Sequence, residues 1–272
     1  MEWPFTALQS LLFTLINIVV GILVNIVGVG GVLVVPAAAI ILQCNTKLAI
    51  SSALCSFVPG ATANATSKIY TKVISHEEAA QVFLGAAIGA CLSVFSLEFI
   101  SSTAIQLLVG LVALFSGSWE IYKWKAIQTT QTPQQDDDNN KYIVKSRAES
   151  FFLGMFTGFG SGLSGTGGPI LLLPVLLLRY SEVPVMNLVA IAQCASAALT
   201  IFSTVTNLVK GSDIEWHIVA LAVAGNMTGL PLGHIIGKRL AKKKGGIILL
   251  RIGVAGFLCL LGFYMALVVV VG

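Results

Sequence analysis

Charge is what this chain has least of. Asp, Glu, Lys and Arg make up 10% of its 272 residues, against 56% hydrophobic ones, and the mean hydropathy is +0.90. An ordinary soluble domain is about 25% charged. So few charges cannot cover a water-soluble globule of this size, and long windows hold none at all. The pattern excludes a soluble fold and a nucleic-acid partner. It specifies an all-α polytopic membrane protein whose solvent is the lipid bilayer.

Acidic residues are missing from the depth of every apolar block. Glu98, Glu120, Glu149, Glu182 and Glu215 all stand near block ends. A buried carboxylate is the usual marker of a proton relay, so no proton-coupling acid and no partner for a cationic substrate is expected. No CxxC pair occurs either. Cys44, Cys55, Cys91, Cys194 and Cys259 are scattered, most of them within apolar runs. They read as small packing residues, with no metal and no cofactor implied. The N-terminal "MEWPFTALQS" lacks a basic n-region and the apolar stretch after it outruns an h-region of about 7–15 residues, so no cleavable signal peptide is expected.

What is present is a series of apolar blocks at 5–43, 47–70, 79–97, 102–123, 149–179, 184–208, 216–237 and 247–270. A spanning helix needs about 20 residues. The first and fifth blocks are much longer, and both contain a glycine cluster: "GVGGVLVVP" (Gly28–Pro36) and "GTGGPILLLP" (Gly165–Pro174). The polar stretch Lys125–Arg147 reads as a solvent-exposed linker. It divides the chain into an N-terminal transmembrane repeat (1–124), a cytoplasmic linker (125–147) and a C-terminal transmembrane repeat (148–272). Gly30-Gly31 is matched by Gly167-Gly168, Pro36 by Pro174 and Cys55 by Cys194, in the same order and at a slowly drifting offset. That is how a duplicated segment with small insertions looks.

Basic residues fix a topology. Lys123, Lys125, Lys141, Lys145 and Arg147 flank the linker, and Lys238, Arg239, Lys242, Lys243, Lys244 and Arg251 cluster between the last two blocks. Both groups belong on the cytoplasmic side. Yet three blocks separate them, an odd number. The conflict disappears if the fifth block enters and leaves on one side as two half-helices, and the first block does likewise. Each half is then a glycine-broken re-entrant hairpin followed by three transmembrane helices, and the halves are inverted repeats. Eight ordinary spans in two parallel quartets remain the alternative.

A broken helix leaves backbone N–H groups unpaired, at several kcal/mol each in lipid. It persists where protein or a water-filled cavity supplies partners. The N-terminus of each returning half-helix carries roughly +0.5 of a charge and is suited to hold an anion. Residues fit for a polar cavity surround the breaks: Asn25 before the first, Ser161, Ser164 and Thr166 before the second. The helices that follow carry Ser51, Ser52, Ser56, Thr62 and Asn64, then Gln193, Ser196, Thr200 and Ser203. The last four share one helical face. Such groups hydrogen-bond an anion without a fixed charge and can release it; they also let membrane helices pack closely. Lys68 and Arg251 read as snorkelling cations.

Two further motifs carry little. "GLSG" (Gly162–Gly165) matches the pattern around the serine of rhomboid intramembrane proteases, with His234 as its conceivable base. The first half has no serine at the equivalent point, and its glycines are explained without catalysis. The sequons at Asn64 and Asn226 lie inside apolar blocks and read as inert.

The paired motifs "GVGGVLVVP" and "GSGLSGTGGPILLLP", each followed by a small-residue helix and two more spans, resemble the TauE/SafE family of sulfite and sulfonate exporters. The resemblance covers nearly the whole chain. It implies a non-enzymatic membrane transporter or exporter of a small oxyanion, a sulfite or organosulfonate, working by alternating access. In that reading Gly28, Gly30, Gly31, Gly165, Gly167 and Gly168 shape two ligand-facing breaks near Asn25. Ser51, Ser52, Asn64, Ser164, Thr166, Gln193 and Ser196 hydrogen-bond the substrate. A channel-like anion pore is the rival, and association into a homo-oligomer stays open.

Overall fold

The computed structural model describes residues 5–27, 31–70, 74–129, 147–167, 169–180, 183, 185–241 and 246–271. Gly28, Gly30 and Gly168, the side chain of Asn25 and linker residues 130–146 lie outside the described residues. Ten α-helices and one 3-10 turn form the fold, with no strand among the described residues: α1 (Ala7–Val27), the 3-10 turn (Gly31–Leu33), α2 (Val34–Ile41), α3 (Thr46–Tyr70), α4 (His76–Phe99), α5 (Ser102–Thr129), α6 (Arg147–Ser164), α7 (Pro169–Arg179), α8 (Val185–Lys210), α9 (Trp216–Ala241) and α10 (Gly246–Val271). Six unbroken blocks give one helix each. The two glycine-bearing blocks each give a pair, α1/α2 and α6/α7. Among the described residues, α1, α3, α4, α5, α8 and α9 are long and apolar enough to cross a membrane.

The surface is apolar where a soluble protein's is polar, while the core, built on residues such as Phe13, Ile50, Leu54, Leu176 and Leu199, is apolar as well. Leu8, Leu11, Leu12, Leu15 and Val19 form an exposed stripe on α1; Leu84, Ile88, Leu92, Phe95 and Phe99 form another on α4. Both follow the helical repeat. Inside, Asn17, Ser52, Ser93, Thr157, Ser161, Thr200, Ser203 and Asn207 are buried. Water would penalise that arrangement and lipid favours it.

Both broken blocks fold back on themselves. Gln9, in the first turns of α1, donates through Nε2 to the carbonyl of Ile41 at the end of α2 (3.0 Å). In the second half Arg179, the last residue of α7, meets Glu149 in the first turn of α6 (Nε–Oε1 3.3 Å). Each pair of helices thus ends beside its own beginning. The two half-helices of each hairpin are unequal. The outgoing legs have 21 and 18 residues and the returning legs 8 and 11. The breakers set the division: α1 runs on to a glycine cluster that begins at Gly28, beyond the middle of its block, whereas the cluster beginning at Gly165 stands near the middle of the other block, whose legs are less unequal.

Each hairpin packs on a helix of the other half. α1 lies along α9, α6 along α4, α5 along α10 and α3 along α8. The α1–α9, α4–α6 and α5–α10 pairs are welded backbone to backbone by glycine. A Cβ on Gly85 would meet the carbonyl of Phe151, one on Gly158 that of Ala86, and one on Gly229 that of Ile18. Without a hydrophobic drive between helices in lipid, this close approach is what holds them.

Two bonds fix which ends share a side. Arg147 pairs with Glu77 (2.6 Å), joining the starts of α6 and α4. Ser52 accepts from the backbone N–H of Glu215 (3.0 Å), joining the first turns of α3 to the start of α9. Farther along, Gly60 of α3 faces Leu230 of α9, so these two helices run in parallel. Lys68, Arg147, Arg179 and Arg239 therefore gather at one end, here the basic end. Thr46, Glu98, Lys210 and Glu215 gather at the other.

Candidate functional site

The second hairpin turns through glycine chemistry. Ser161 to Thr166 form a Schellman motif: the N–H of Thr166 donates to the carbonyl of Ser161 (3.2 Å), and Gly165 takes φ +66°. Gly167 follows at φ +74°. Both values lie in the left-handed region, which costs an L side chain roughly 1–2 kcal/mol. Pro169 then starts α7, where its missing N–H is harmless and its fixed φ suits the first helical turn. Space is short as well: a Cβ on Gly165 would lie 2.7 Å from Val35 Cγ2, and one on Gly167 2.9 Å from Phe57 Cδ2. Gly165→Ala should therefore lower the melting temperature in detergent through strain and crowding together. An unchanged melt would contradict this account of the turn.

The two tips touch. Gly31, which opens the 3-10 turn before α2, lies so close to the Thr166 carbonyl that any Cβ there would collide with it. Leu33, the residue capping α2, gives no side-chain hydrogen bond to the first-turn amides. The starts of both returning legs thus converge at mid-depth, beside Phe57 in the middle of α3.

A cavity of about 80 Å³ opens under the tips, several times the roughly 10–15 Å³ that one water requires. Gly31, Thr166 and Gly167 form its roof; Ser56, Phe57, Gly60 and Asn64 of α3, Gln193 and Ser196 of α8, Gly21 of α1, and Asn226 and Leu230 of α9 form its walls. Leu173, Val189, Asn64 and Leu230 all lie on the basic-end side of the tips, so the cavity extends toward that end. None of its lining residues is charged. Pro59 and Pro231 sit inside α3 and α9 beside it. Each removes an N–H, so the helical bonds to the carbonyls of Cys55 and Met227 are not made.

Polar groups in this wall lack partners. Gln193 Oε1 and both side-chain heteroatoms of Asn226 make no hydrogen bond, although Asn226 is only 8% exposed. An unsatisfied buried amide costs about 1–3 kcal/mol, and a native protein tolerates that where a ligand supplies the bonds. Ser196, by contrast, donates to the carbonyl of Gly167 and so fixes the second tip to α8.

Of the residues singled out in the sequence, Gly31, Asn64, Thr166, Gly167, Gln193 and Ser196 meet at this cavity. Gly165 stands behind the roof. Ser164 is buried, donates to the carbonyl of Gly160 (3.0 Å) and shares a bond with Thr166 Oγ1 (3.0 Å). Ser51 donates to the carbonyl of Lys47 (3.1 Å) and Ser52 binds Glu215, both away from the cavity toward the end opposite the basic one. Sequence reasoning missed Asn226 and Gly21, which belong to α9 and α1 rather than to the segments next to the breaks. One signal for Asn226 was present: a carboxamide deep in an apolar span, which membrane proteins seldom keep without a use.

The profile described as "Sulfite exporter TauE/SafE" matches residues 13–265. This chain belongs to that family. Among TauE/SafE relatives, "Probable membrane transporter protein YunE" of Bacillus subtilis (strain 168) is 20% identical over 254 residues, covering 87% of this chain and 91% of the relative. A "Probable membrane transporter protein" of Xylella fastidiosa is 23% identical over 107 residues, 39% of this chain and 40% of the relative. No solved structure matches the chain. TauE/SafE membership and the apolar exterior together make this a multi-pass integral membrane protein and a membrane transporter.

Proposed function

We propose that the protein is a secondary carrier of a small oxyanion, sulfite or an organosulfonate, which binds under the two hairpin tips and crosses by alternating access. The observation that carries this reading is the neutral cavity beneath two converging helix starts, with both side-chain heteroatoms of Asn226 and Oε1 of Gln193 unpartnered in its wall. Helix N-termini and carboxamide N–H groups suit sulfonate oxygens. With no cation in the wall, binding stays weak enough to reverse. The family name supports the sulfur oxyanion class.

Reciprocal packing of the halves supports inverted repeats. α3 and α5 pack on their counterparts α8 and α10, and the α1–α9 pair is mirrored by α6–α4, as a two-fold axis in the membrane plane requires. By the positive-inside rule the basic end is cytoplasmic, so the cavity faces inward in this conformation. The welded pairs α1–α9 and α4–α6 form the moving bodies, each carrying one tip, while Phe57 and Ser196 hold the hinge side. An intramembrane protease is disfavoured because the Ser164 hydroxyl is engaged by Gly160 and Thr166.

The test is a thermal-shift series on purified protein with isethionate, sulfoacetate, sulfite and choline, followed by uptake into proteoliposomes. The three anions should raise the melting temperature and be transported; choline should do neither. Stabilisation by choline alone, or single-channel conductance in planar bilayers, would overturn the carrier reading.

A further inference from the structure

One face of α8 runs on beyond the cavity. Val189, Gln193 and Ser196 line the cavity. At steps of four and three residues the same face continues through Thr200, Ser203 and Asn207, away from the basic end. All three are sealed from solvent: Thr200 and Ser203 are 0% exposed and Asn207 2%. Thr200 is satisfied within its own helix, donating to the carbonyl of Ser196 (3.0 Å). Ser203 Oγ and Asn207 Nδ2 have no partner. Alanine and leucine would pack here without leaving polar atoms unpaired, so packing alone does not account for them.

The segment ends at the face opposite the basic end, where a mouth would have to open. The backbone N–H of Ser212 donates to the carbonyl of Asn207 (2.9 Å) in the Schellman motif that stops α8, with Gly211 at φ +69°. One turn from Asn207, Lys210 binds Glu98 (2.8 Å) and lies 4.9 Å over the ring of Phe95. Between that face and the cavity, Gly165 of the second tip sits against Val35 and Ile50, and Ser52 is tied to Glu215. Packed residues thus fill that interval in this conformation.

We propose that Ser203 and Asn207 form a second binding station for the same small oxyanion, the outer half of its path, occupied when the cavity opens to the end opposite the basic one. This rests on the carrier reading above and extends it. The chemistry matches the inner site: a hydroxyl and a carboxamide N–H donate to sulfonate oxygens without a compensating charge. A substrate leaving the cavity beside Gln193 therefore meets donors on the same helix face, and the cation of Lys210 stands at that end. The orphan donors in the closed half and the orphan Nδ2 of Asn226 in the open half have one explanation, since each is satisfied when its half admits the anion.

The experiment uses a background with all five cysteines replaced by alanine, reconstituted in vesicles. Single Ser203→Cys, Asn207→Cys, Gln193→Cys and Ser116→Cys variants are exposed to sulfonatoethyl methanethiosulfonate and to its trimethylammonium counterpart. Cysteines at 203 and 207 should react with the sulfonate reagent and resist the cationic one. Isethionate at ten times its half-saturating concentration should slow that reaction about tenfold, because only about a tenth of sites remain free. Ser116, buried on α5 and bonded to the Val112 carbonyl, should stay unlabelled as cysteine. Reaction at 193 with none at 203 and 207, or equal rates for both reagents, overturns the outer station and leaves the carrier reading intact. No protected reaction at any of the three overturns both. Ser203→Ala, which removes one oxygen, gives a second reading: isethionate uptake should fall with the melting temperature unchanged, and undiminished uptake counts against the station.

Discussion

Replacing Gly158 by valine should cost the protein its fold, whereas replacing Gly253 or Gly256 by alanine should cost nothing. The difference lies in what a new Cβ would meet. At Gly158 it would run into the carbonyl, carbonyl carbon and Cα of Ala86, all backbone, with Gly154 and Gly85 in the same position along the α4–α6 seam. No rotamer relieves a collision with backbone, so the two helices must separate. Overpacking of an ordinary core costs about 1–3 kcal/mol; a seam that loses its contact along several turns should cost at least the upper figure. Around Gly253 and Gly256 on α10 there is nothing within 4 Å, and alanine there gains helix propensity of roughly 1 kcal/mol. Fluorescence-detected gel filtration and melting in detergent measure both. A Gly158→Val protein that elutes and melts normally would show that α4 and α6 are not welded as described.

Asn226→Leu and Gln193→Leu should separate stability from binding. Both remove polar atoms that have no partner in the unliganded protein, so the melting temperature should hold or rise. Each also removes a donor to a charged ligand, a bond of about 1.5–3 kcal/mol, equivalent to roughly a 10–100-fold loss of affinity. Binding of isethionate by calorimetry on wild type and variants measures this. Affinity within twofold of wild type in both variants would place the anion elsewhere. A drop in melting temperature alone would make the two amides structural.

Much of the architecture was readable because a membrane leaves few choices. The ends of the unbroken blocks fall within a few residues of α3, α4, α8, α9 and α10, since a bilayer ends a span where polar residues begin; α5 instead runs on to Thr129, into the segment expected as linker, because a helix can continue into water past the apolar block. The glycine breaks were equally legible: Gly165 and Gly167 take left-handed backbone angles that other residues resist. Lengths of the legs were not legible. A hydropathy profile registers that block one is apolar throughout, but α1 and α2 divide it 21 to 8 according to where Gly31 meets Thr166.

The candidate site was half legible for a related reason. Residues near the breaks could be nominated by proximity in sequence, and Gly31, Asn64, Thr166, Gly167, Gln193 and Ser196 do come together. Ser51 and Ser52 share the same composition and the same helix as Ser56, yet face the Lys47 carbonyl and Glu215 instead. Helix rotation decides that, and α3 has hydroxyl and small residues on several faces, so its amphipathicity points nowhere. Asn226 enters from α9, across the molecule, only because α1 and α9 close on each other through Gly21, Gly225 and Gly229.

By itself, then, the chain's order of residues determined the solvent, the number of apolar blocks, the two breaks and the side on which its cations gather. Those follow from local free energies: transfer of side chains into lipid, the φ that glycine permits, and the cost of moving Lys and Arg across. Only the tertiary structure decided which half's helix each hairpin leans on, which polar residues face one another, and which amides are left without partners. Those depend on distances between segments far apart in sequence, set by backbone contact at glycine, and no local preference encodes them.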